Sequence, residues 1–282
     1  MRLLLTGSSG QVGSALLGTL PGLGEVSAPG RGELDLSRSE SIAKAVARAG
    51  ADVIVNAAAY TAVDQAEKEE PLAMAVNRDG PALLAEEAAR RGALLVHFST
   101  DYVFDGEKPS PYVETDATGP LNAYGRSKLA GEQAIRRSGC RHLIFRTSWV
   151  YSNSGKNFLL TMLRLAREKK ELRVVDDQFG APTSSRSLAD AVPPAIAAVL
   201  RDASLGGLYH MSAQGSTTWC GFARAIVGDG VRVVPIRSRE YATPARRPRN
   251  SVLDNTKLER SFGIRLPSWQ AGLKQVLGAL AA

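Results

Sequence analysis

The sequence predicts an α/β fold with a Rossmann-type, doubly wound parallel sheet and a smaller C-terminal region. Two observations support this prediction. Short apolar runs alternate with alanine-rich helical stretches over the first 150 residues, and a glycine-rich turn follows the first of these runs. The chain has 282 residues, of which 44% are hydrophobic and 22% charged, so it can bury a sizeable core.

The alternating elements follow one another in the order of a βα repeat. Five apolar runs bounded by polar or glycine residues are predicted strands: Arg2–Leu5, Glu25–Ala28, Val53–Asn56, Leu94–Phe98 and His142–Arg146. Four stretches between them are predicted helices: Val12–Leu20, Glu40–Arg48, Leu72–Arg90 and Tyr124–Arg137. Prolines break the later chain into short elements. We therefore expect a dinucleotide-binding domain over residues 1–150. Residues 151–282 are expected to be mainly substrate-binding, with segments that return to the sheet.

The glycine-rich turn has the spacing GxxGxxG and comprises Gly7, Gly10 and Gly13. It lies between a predicted strand and a predicted helix, where glycine lets the backbone approach a pyrophosphate and the helix N-terminus supplies N–H donors. The alternative is a tight strand–helix turn without a ligand. The context favours nucleotide binding, and the spacing is that of short-chain dehydrogenases/reductases.

Residues after the second and third strands complete the predicted cofactor site. Arg31 is a candidate for the 2′-phosphate of NADP, because a guanidinium pairs with phosphate bidentately; the alternative is a solvated surface arginine. Asp35 and Leu36 resemble an acidic–apolar pair that contacts adenine. Small residues after the third strand allow the backbone to lie against a cofactor, in the run Ala57, Ala58, Ala59, Tyr60 and Thr61. We expect NADPH to be preferred and NADH to be usable.

Tyr124 and Lys128 are four residues apart on a predicted helix, so both side chains project from one face. An ammonium near a phenol favours the phenolate and lowers the pKa of the tyrosine, which makes the tyrosine a better acid–base group. Thr100 ends the fourth predicted strand and is expected to hydrogen-bond a substrate carbonyl or the tyrosine. An exposed helical turn is the alternative, but the preceding elements favour a catalytic site.

Charge, cysteine content and the length of apolar runs limit the ligands and the cellular location expected for this chain. The 35 Lys and Arg residues against 28 Asp and Glu give a charge of +7, which suits an anionic ligand but is too dispersed to require nucleic acid. The two cysteines, Cys140 and Cys220, form no CxxC motif and are expected to be free thiols in a reducing compartment. No apolar run reaches the length of a membrane span, and the first apolar run meets a glycine too early for a signal peptide. We expect a cytoplasmic protein.

Seven segments together resemble the dTDP-4-dehydrorhamnose reductase family, a group of extended short-chain dehydrogenases/reductases. The resemblance extends over nearly the whole chain. It is carried by residues 5–13 (LTGSSGQVG), 56–64 (NAAAYTAVD), 99–106 (STDYVFDG), 120–132 (PLNAYGRSKLAGE), 145–151 (FRTSWVY), 177–183 (DQFGAPT) and 243–251 (TPARRPRNS). The last three segments are typical of this family rather than of the wider superfamily.

The resemblance implies reduction of dTDP-4-dehydro-β-L-rhamnose to dTDP-β-L-rhamnose with NAD(P)H. Tyr124 would protonate the O4 alkoxide, Lys128 would hold the nicotinamide ribose and tune the tyrosine, and Thr100 would position the carbonyl. Cofactor contacts would include Gly10, Gln11, Val12, Asp35, Leu36, Ala59, Tyr60 and Thr61. Substrate contacts would include Asp101, Tyr102 and Trp149, and the arginine pair Arg246 and Arg247 would suit the diphosphate.

One departure from the family concerns metal. Some members dimerise through Mg²⁺ held by carboxylates at positions that are Ala15 and Arg186 in this chain, and neither side chain offers the oxygen ligand that Mg²⁺ requires. We therefore expect no metal site, and a monomer or a metal-independent dimer. Two other functions stay open: another nucleotide-sugar reductase or epimerase, including one that forms 6-deoxy-talose, and a non-catalytic regulatory subunit.

Overall fold

A six-stranded parallel sheet organises the chain, and the predicted α/β fold class is confirmed in this computed structural model, which describes residues 1–281. The strands are β1 (Arg2–Thr6), β2 (Glu25–Ser27), β3 (Val53–Asn56), β4 (Leu94–Thr100), β5 (Arg141–Thr147) and β10 (Gly207–His210). Their order in the sheet is β10-β5-β4-β3-β1-β2. The order reverses beside β1, which leaves a crevice at the carboxyl ends of the strands.

Helices cover both faces of the sheet, because successive residues of a strand point to opposite faces. Leu3 and Leu5 pack on the side of α1 (Gln11–Leu16) and α8 (Ser185–Arg201). Leu4 packs on the opposite side, in the core shared by three further helices. Those helices are α2 (Ser39–Ala49), α5 (Gly80–Arg91) and α6 (Ala123–Arg137).

The strand predictions agree with the structure to within one or two residues, but two predicted helices are wrong in extent. The helix expected over Val12–Leu20 ends at Leu16, and a 3₁₀ turn that contains Pro21 follows. The helix expected over Leu72–Arg90 is divided into α4 (Glu70–Met74), a π-helical turn (Ala75–Asp79) and α5. The short helix α3 (Val63–Ala66) precedes them.

A second apolar cluster lies in the C-terminal half. It is built mainly from α7 (Phe158–Glu168), α9 (Trp219–Val227) and α11 (Trp269–Ala281), together with the parallel pair β7 (Glu171–Val175) and β12 (Arg232–Ile236). The remaining elements are β6 (Val150–Tyr151), β8 (Phe179–Gly180), β9 (Thr183–Ser184), β11 (Thr217–Thr218) and α10 (Thr256–Phe262). Strand β10 and helix α8 return from this half to the main sheet. The boundary between a cofactor-binding and a substrate-binding region at residue 150 stays a prediction.

No helix among residues 1–281 combines the length and hydropathy needed to span a membrane. Both cysteines are free and buried.

The contact between α6 and the π-helical turn gives the first testable prediction. A Cβ atom on Gly131 would lie 2.1 Å from the Asn77 carbonyl oxygen, so Gly131→Ala must displace α6 from the π-helical turn. We expect the free energy of unfolding in urea to fall by about 1–3 kcal/mol. The matched control is Gly278→Ala in α11, where the added methyl meets open space and the free energy should rise by roughly 0.5–1 kcal/mol. Equal stability of Gly131→Ala and the unmodified chain would contradict this packing.

Candidate active site

A cleft of about 850 Å³ opens at the carboxyl ends of the central strands. The glycine-rich turn and residues of β4 and α6 line it together. The predicted residues that line it are Gly7, Gly10, Gln11, Val12, Arg31, Asp35, Leu36, Ala57, Ala58, Ala59, Tyr60, Thr61, Thr100, Asp101, Tyr102, Tyr124, Lys128 and Trp149. Most residues that sequence reasoning assigned separately to cofactor and substrate therefore meet in one cleft.

The glycine-rich turn has the tight packing that a dinucleotide-binding turn requires. Gly7 has a φ of +68°, and a Cβ there would lie 2.6 Å from the Ala58 backbone nitrogen. A Cβ on Gly13 would lie 2.0 Å from the Gly7 carbonyl oxygen, so Gly13 supports the turn from beneath and does not itself line the cleft. Only glycine fits at either position, and the cradle therefore fits a pyrophosphate in close contact with the backbone.

Arg31 and Asp35 lie together where the adenosine end of a dinucleotide is expected. The Arg31 Nε donates to Asp35 Oδ2 at 3.3 Å, and the arginine side chain is 78% exposed. Hydrogen bonds from the Ser37 amide and hydroxyl lower the pKa of Asp35, with a smaller contribution from Arg31. The guanidinium is held only by an exposed pair of small energetic value, so it is free to turn toward a phosphate.

Tyr124 and Lys128 both face the cleft from the first turns of α6. Asn122 caps the helix by accepting a hydrogen bond from the Gly125 amide at 2.8 Å. Lys128 is buried, and its Nζ donates to the Phe98 carbonyl oxygen at 2.6 Å and lies 3.2 Å from His97 Nε2. The lysine is thus held by β4.

The tuning of Tyr124 by Lys128 stays a prediction, and Lys128 is not among the groups that shift the pKa of Tyr124 in this structure. Burial raises the pKa of Tyr124 to about 12, a hydrogen bond with Thr100 partly opposes the rise, and the charge of Asp101 adds to it. The physical reason is that the lysine nitrogen is directed to the Phe98 carbonyl. Tyr124 therefore keeps its proton at neutral pH, as a general acid must before it reacts.

Thr100, Asp101 and Tyr102 follow one another at the end of β4. The Thr100 hydroxyl donates to Asp101 Oδ1 at 3.0 Å and accepts from the Tyr102 amide at 3.2 Å. Asp101 Oδ2 is buried without a hydrogen-bond partner in the described part of the chain, and burial raises the pKa of Asp101 to about 7. The Tyr102 ring meets Tyr124 edge-on, with ring centroids 6.0 Å apart.

Two stacked tryptophans border the cleft, and sequence reasoning identified only one of them. Trp149 stacks on Trp219 with ring centroids 3.6 Å apart and planes within 4°. Trp149 has a φ of +49°, the sole positive φ outside glycine between residues 1 and 281, and such backbone strain concentrates at functional sites. A Cβ on Gly180 would lie 2.3 Å from the Trp149 ring, so Gly180 contacts the ring closely as well. Trp219, at the start of α9, carried no recognisable sequence signal.

The arginine pair does not join the residues that line the cleft. Arg247 forms an ion pair with Asp64 at 2.7 Å, and its Nη1 also donates to the Thr243 hydroxyl at 2.7 Å and the Ala245 carbonyl at 2.9 Å. Arg246 is exposed, and its carbonyl oxygen accepts from Asn122 Nδ2 at 2.7 Å. Arg247 thus has a structural task in fastening its loop to α3, and diphosphate contact by either arginine stays a prediction.

At the positions considered for magnesium, Ala15 lies on α1, and the exposed Arg186 pairs with Asp190 at 3.0 Å. Over residues 1–281 there is no cluster of three or more His, Cys, Asp or Glu side chains suited to a metal ion.

The buried Asp101 carboxylate yields a prediction about pH and stability. Its pKa in the folded protein is raised above the ordinary value of 3.8, so the unfolded chain ionises first and stability is lost as pH rises from about 4 through 7. Asp101→Asn removes this loss. In urea unfolding, the variant should gain on the order of 1–4 kcal/mol relative to the unmodified chain between pH 4 and pH 8. The exposed Asp229→Asn is the control, and a pH-independent difference for Asp101→Asn would refute the assignment.

Comparison with known proteins identifies the family. The model of the RmlD substrate binding domain matches residues 1–282. A dTDP-4-dehydrorhamnose reductase of Burkholderia thailandensis is 50% identical, with 96% of each chain covered. The crystal structure of an orthologous reductase from Clostridium acetobutylicum superposes with a TM-score of 0.94 at 37% identity, over 100% of both chains. That of Bacillus anthracis, in complex with NADP, has a TM-score of 0.92 at 36% identity, over 99% of both.

The match spans the whole chain, and the identities are far above the level at which fold alone is shared. The chain therefore belongs to the dTDP-4-dehydrorhamnose reductase family.

Proposed function

We propose that this protein reduces the C4 keto group of dTDP-4-dehydro-β-L-rhamnose to give dTDP-β-L-rhamnose, with NADPH as reductant. The single observation that carries the proposal is the meeting of Tyr124, Lys128 and Thr100 in one cleft with the glycine-rich turn. A relative with the same fold binds NADP, and the relatives are reductases by name. The tryptophan faces and buried polar groups that line the cleft suit a sugar ligand.

The residues of the chain divide the reaction between binding and proton transfer. When bound, reduced dinucleotide supplies the hydride that C4 receives. Tyr124, protonated because burial raises its pKa, donates its proton to the O4 oxygen as negative charge develops there. The Thr100 hydroxyl and Asp101 carboxyl bind oxygen atoms of the sugar, and Trp149 offers it an apolar face. Lys128 would hold the nicotinamide ribose, and Gly7, Gly10 and Arg31 would hold the phosphates.

The alternative functions predict different observations. An epimerase retains its dinucleotide and consumes none, whereas this reductase should consume one NADPH per product. A talose-forming reductase gives the other C4 epimer, which NMR of the product distinguishes. A regulatory subunit would not need Tyr124, Lys128 and Thr100 together in the cleft, and their meeting favours an enzyme.

We also propose a cytoplasmic location, which two free buried cysteines support.

Replacement of Tyr124 tests the proposal directly. Tyr124→Phe keeps the ring but removes the acid proton, so kcat should fall about 10²–10⁴-fold while NADPH binds with nearly unchanged affinity. Steady-state NADPH oxidation and fluorescence titration measure the two quantities. The control is Tyr241→Phe at an exposed position, which should leave both unchanged. A Tyr124→Phe enzyme with more than half of the original kcat would exclude Tyr124 as the acid.

Arg31 is proposed to select NADPH over NADH. Arg31→Ala should raise the KM for NADPH by roughly tenfold, because one charge-assisted pair with the 2′-phosphate is lost, and change the KM for NADH little. Arg48→Ala, which removes a neighbouring exposed arginine paired with Glu33, is the matched control. Equal effects of Arg31→Ala on both cofactors would show that this side chain does not contact the phosphate.

The proposed assembly is a monomer or a dimer held without metal. Arg186 beside a divalent cation would add repulsion where the family's magnesium-bridged dimers have carboxylates, and the hydride and proton steps need no Lewis acid. We expect the molar mass in light scattering and the turnover rate to be the same with excess EDTA and with added Mg²⁺. Dissociation on chelation, or activity restored by Mg²⁺, would contradict this expectation.

A further inference from the structure

The last residue of β5, Thr147, carries a buried hydroxyl in the cleft, and its side chain is only 7% exposed. Among residues 1–281, five buried side-chain polar atoms have no hydrogen-bond partner, and only those of Thr147 and Asp101 belong to residues that line the cleft. Asp101 is proposed to bind the sugar, whereas the Thr147 hydroxyl has no role in the proposed reaction. A buried hydroxyl without a partner costs free energy, so its position in a ligand cleft points to a polar group of the ligand.

The sheet determines where this hydroxyl lies. Thr147 pairs in register with Thr100 of β4, so their backbones are about 4.8 Å apart. Two residues earlier in the same strands, Phe145 and Phe98 belong to the core on the side of α1 and α8. Residues two apart in a strand point to the same face, so Thr147 and Thr100 lie on the face that α1 and α8 cover.

The predicted cofactor contacts follow the strands in their spatial order. Arg31 and Asp35 come after β2, the glycine-rich turn comes after β1, residues 57–61 come after β3, and Lys128 is bonded to β4. The next strand in the sheet is β5, which Thr147 ends. A dinucleotide with its phosphates at the glycine-rich turn and its nicotinamide ribose at Lys128 would therefore bring the nicotinamide ring to the ends of β4 and β5.

We propose that the Thr147 hydroxyl binds the carboxamide of the nicotinamide ring. The carboxamide has a carbonyl that accepts and an amino group that donates, and a hydroxyl can complement either. Sugar hydroxyls are the competing partners, but Thr147 is buried in its strand, whereas the tryptophan pair proposed to face the sugar, Trp149 and Trp219, is partly exposed. The hydroxyl therefore suits the ligand that lies deeper, against the strand ends.

This contact would restrict rotation of the nicotinamide ring about its glycosidic bond. A ring held both at its ribose and at its carboxamide offers one face to the sugar, which is the orientation that hydride transfer requires. Thr147 would then contact the cofactor without contacting the proton that Tyr124 donates. Loss of its hydroxyl should weaken cofactor binding and leave the acid in place.

Equilibrium binding to the full-length chain, measured by isothermal titration calorimetry without nucleotide sugar, tests the inference. Thr147→Val keeps the shape of the side chain and removes the hydroxyl. Its Kd for NADPH should rise about fivefold, the equivalent of one neutral hydrogen bond. Its Kd for 2′-phosphoadenosine 5′-diphosphoribose, the cofactor fragment without the nicotinamide ring, should not change. Thr147→Ser keeps the hydroxyl and should bind NADPH as the unmodified chain does.

Urea unfolding gives a second readout, because removal of an unpartnered hydroxyl and removal of a bonded one have opposite effects on stability. The Thr147 hydroxyl has no partner in the described part of the chain, so the unfolding midpoint of Thr147→Val should equal or exceed that of the unmodified chain. Thr183→Val is the matched control. The Thr183 hydroxyl is also buried, donates to the Ala181 carbonyl at 3.0 Å and accepts from the Ala213 amide at 3.1 Å. Its loss should lower the midpoint.

Three results would overturn the inference. An unchanged Kd for NADPH in Thr147→Val would exclude the contact, and a raised KM for the nucleotide sugar in that variant would then assign the hydroxyl to the sugar. An equal rise in the Kd for NADPH and for the fragment would show an indirect disturbance of the cleft. A lower unfolding midpoint for Thr147→Val would show that the hydroxyl already has a partner within the protein. If Thr147→Val does not fold, Thr147→Ala takes its place in the binding comparison.

The inference rests on the proposed use of NADPH, but the affinities are measured without turnover. A chain that shows the expected affinities and fails to reduce the nucleotide sugar would count against the proposed function only. A chain that reduces the nucleotide sugar, while Thr147→Val keeps its affinity for NADPH, would count against this inference only.

Discussion

The ion pair between Glu132 and Arg146 is buried between α6 and the sheet, and the geometry of the active site depends on it. Two bonds of 2.9 and 2.7 Å join the guanidinium to the carboxylate, which also accepts from the Ser99 hydroxyl at 2.5 Å. The carboxylate belongs to the helix that carries Tyr124 and Lys128, and Ser99 precedes Thr100. Loss of one partner of such a pair leaves a buried charge and typically costs about 3–5 kcal/mol, so the rotation of α6 is firmly fixed.

Side-chain hydrogen bonds and ring packing connect the two halves of the chain. Gln11, in the glycine-rich turn, accepts hydrogen bonds from Ser152 at 3.1 Å and Asn157 at 3.0 Å through its side-chain oxygen. Trp149, just before that segment, is clamped between Trp219 and Gly180. Contacts from the C-terminal half therefore position both the turn that would hold the pyrophosphate and the rings that would face the sugar.

The sequence predicted what depends on local pattern and missed what depends on distant partners. The strands follow from the pattern of apolar residues, and their predicted bounds lie within one or two residues of the observed ones. Tyr124 and Lys128 were identified by their four-residue spacing on a predicted helix, and α6 contains both. The break before α5 has a long-range cause: the Asn77 side chain on the π-helical turn bonds both Tyr60 backbone groups and the Ser127 hydroxyl. Asn77 has no local signal for that role, because residues 17 and 50 positions away supply its partners.

Charged residues were hardest to assign for the same reason. Arg247 stands in a proline-bounded basic segment that suggests a ligand for a diphosphate, yet its partner Asp64 is 183 residues away in sequence. The same guanidinium donors can bind an anionic ligand or fasten a loop. Only the position of the neighbouring carboxylate shows which of the two roles Arg247 has. The buried histidine beside Lys128 presented the same difficulty, since nothing around it in sequence marks it as a neighbour of the catalytic helix.

The active site keeps its acid protonated and fixes the lysine of the same helix against β4. Tyr124 is buried and protonated, and Lys128 is bonded to β4 rather than directed at the phenol. A general acid must carry its proton when the substrate arrives, and burial meets this requirement for Tyr124. The same burial makes the phenolate that is left behind costly, so a nearby cation has to stabilise it as the proton leaves. Lys128, one turn further along α6 and fixed by the Phe98 carbonyl, is the cation that the same helix supplies for this task.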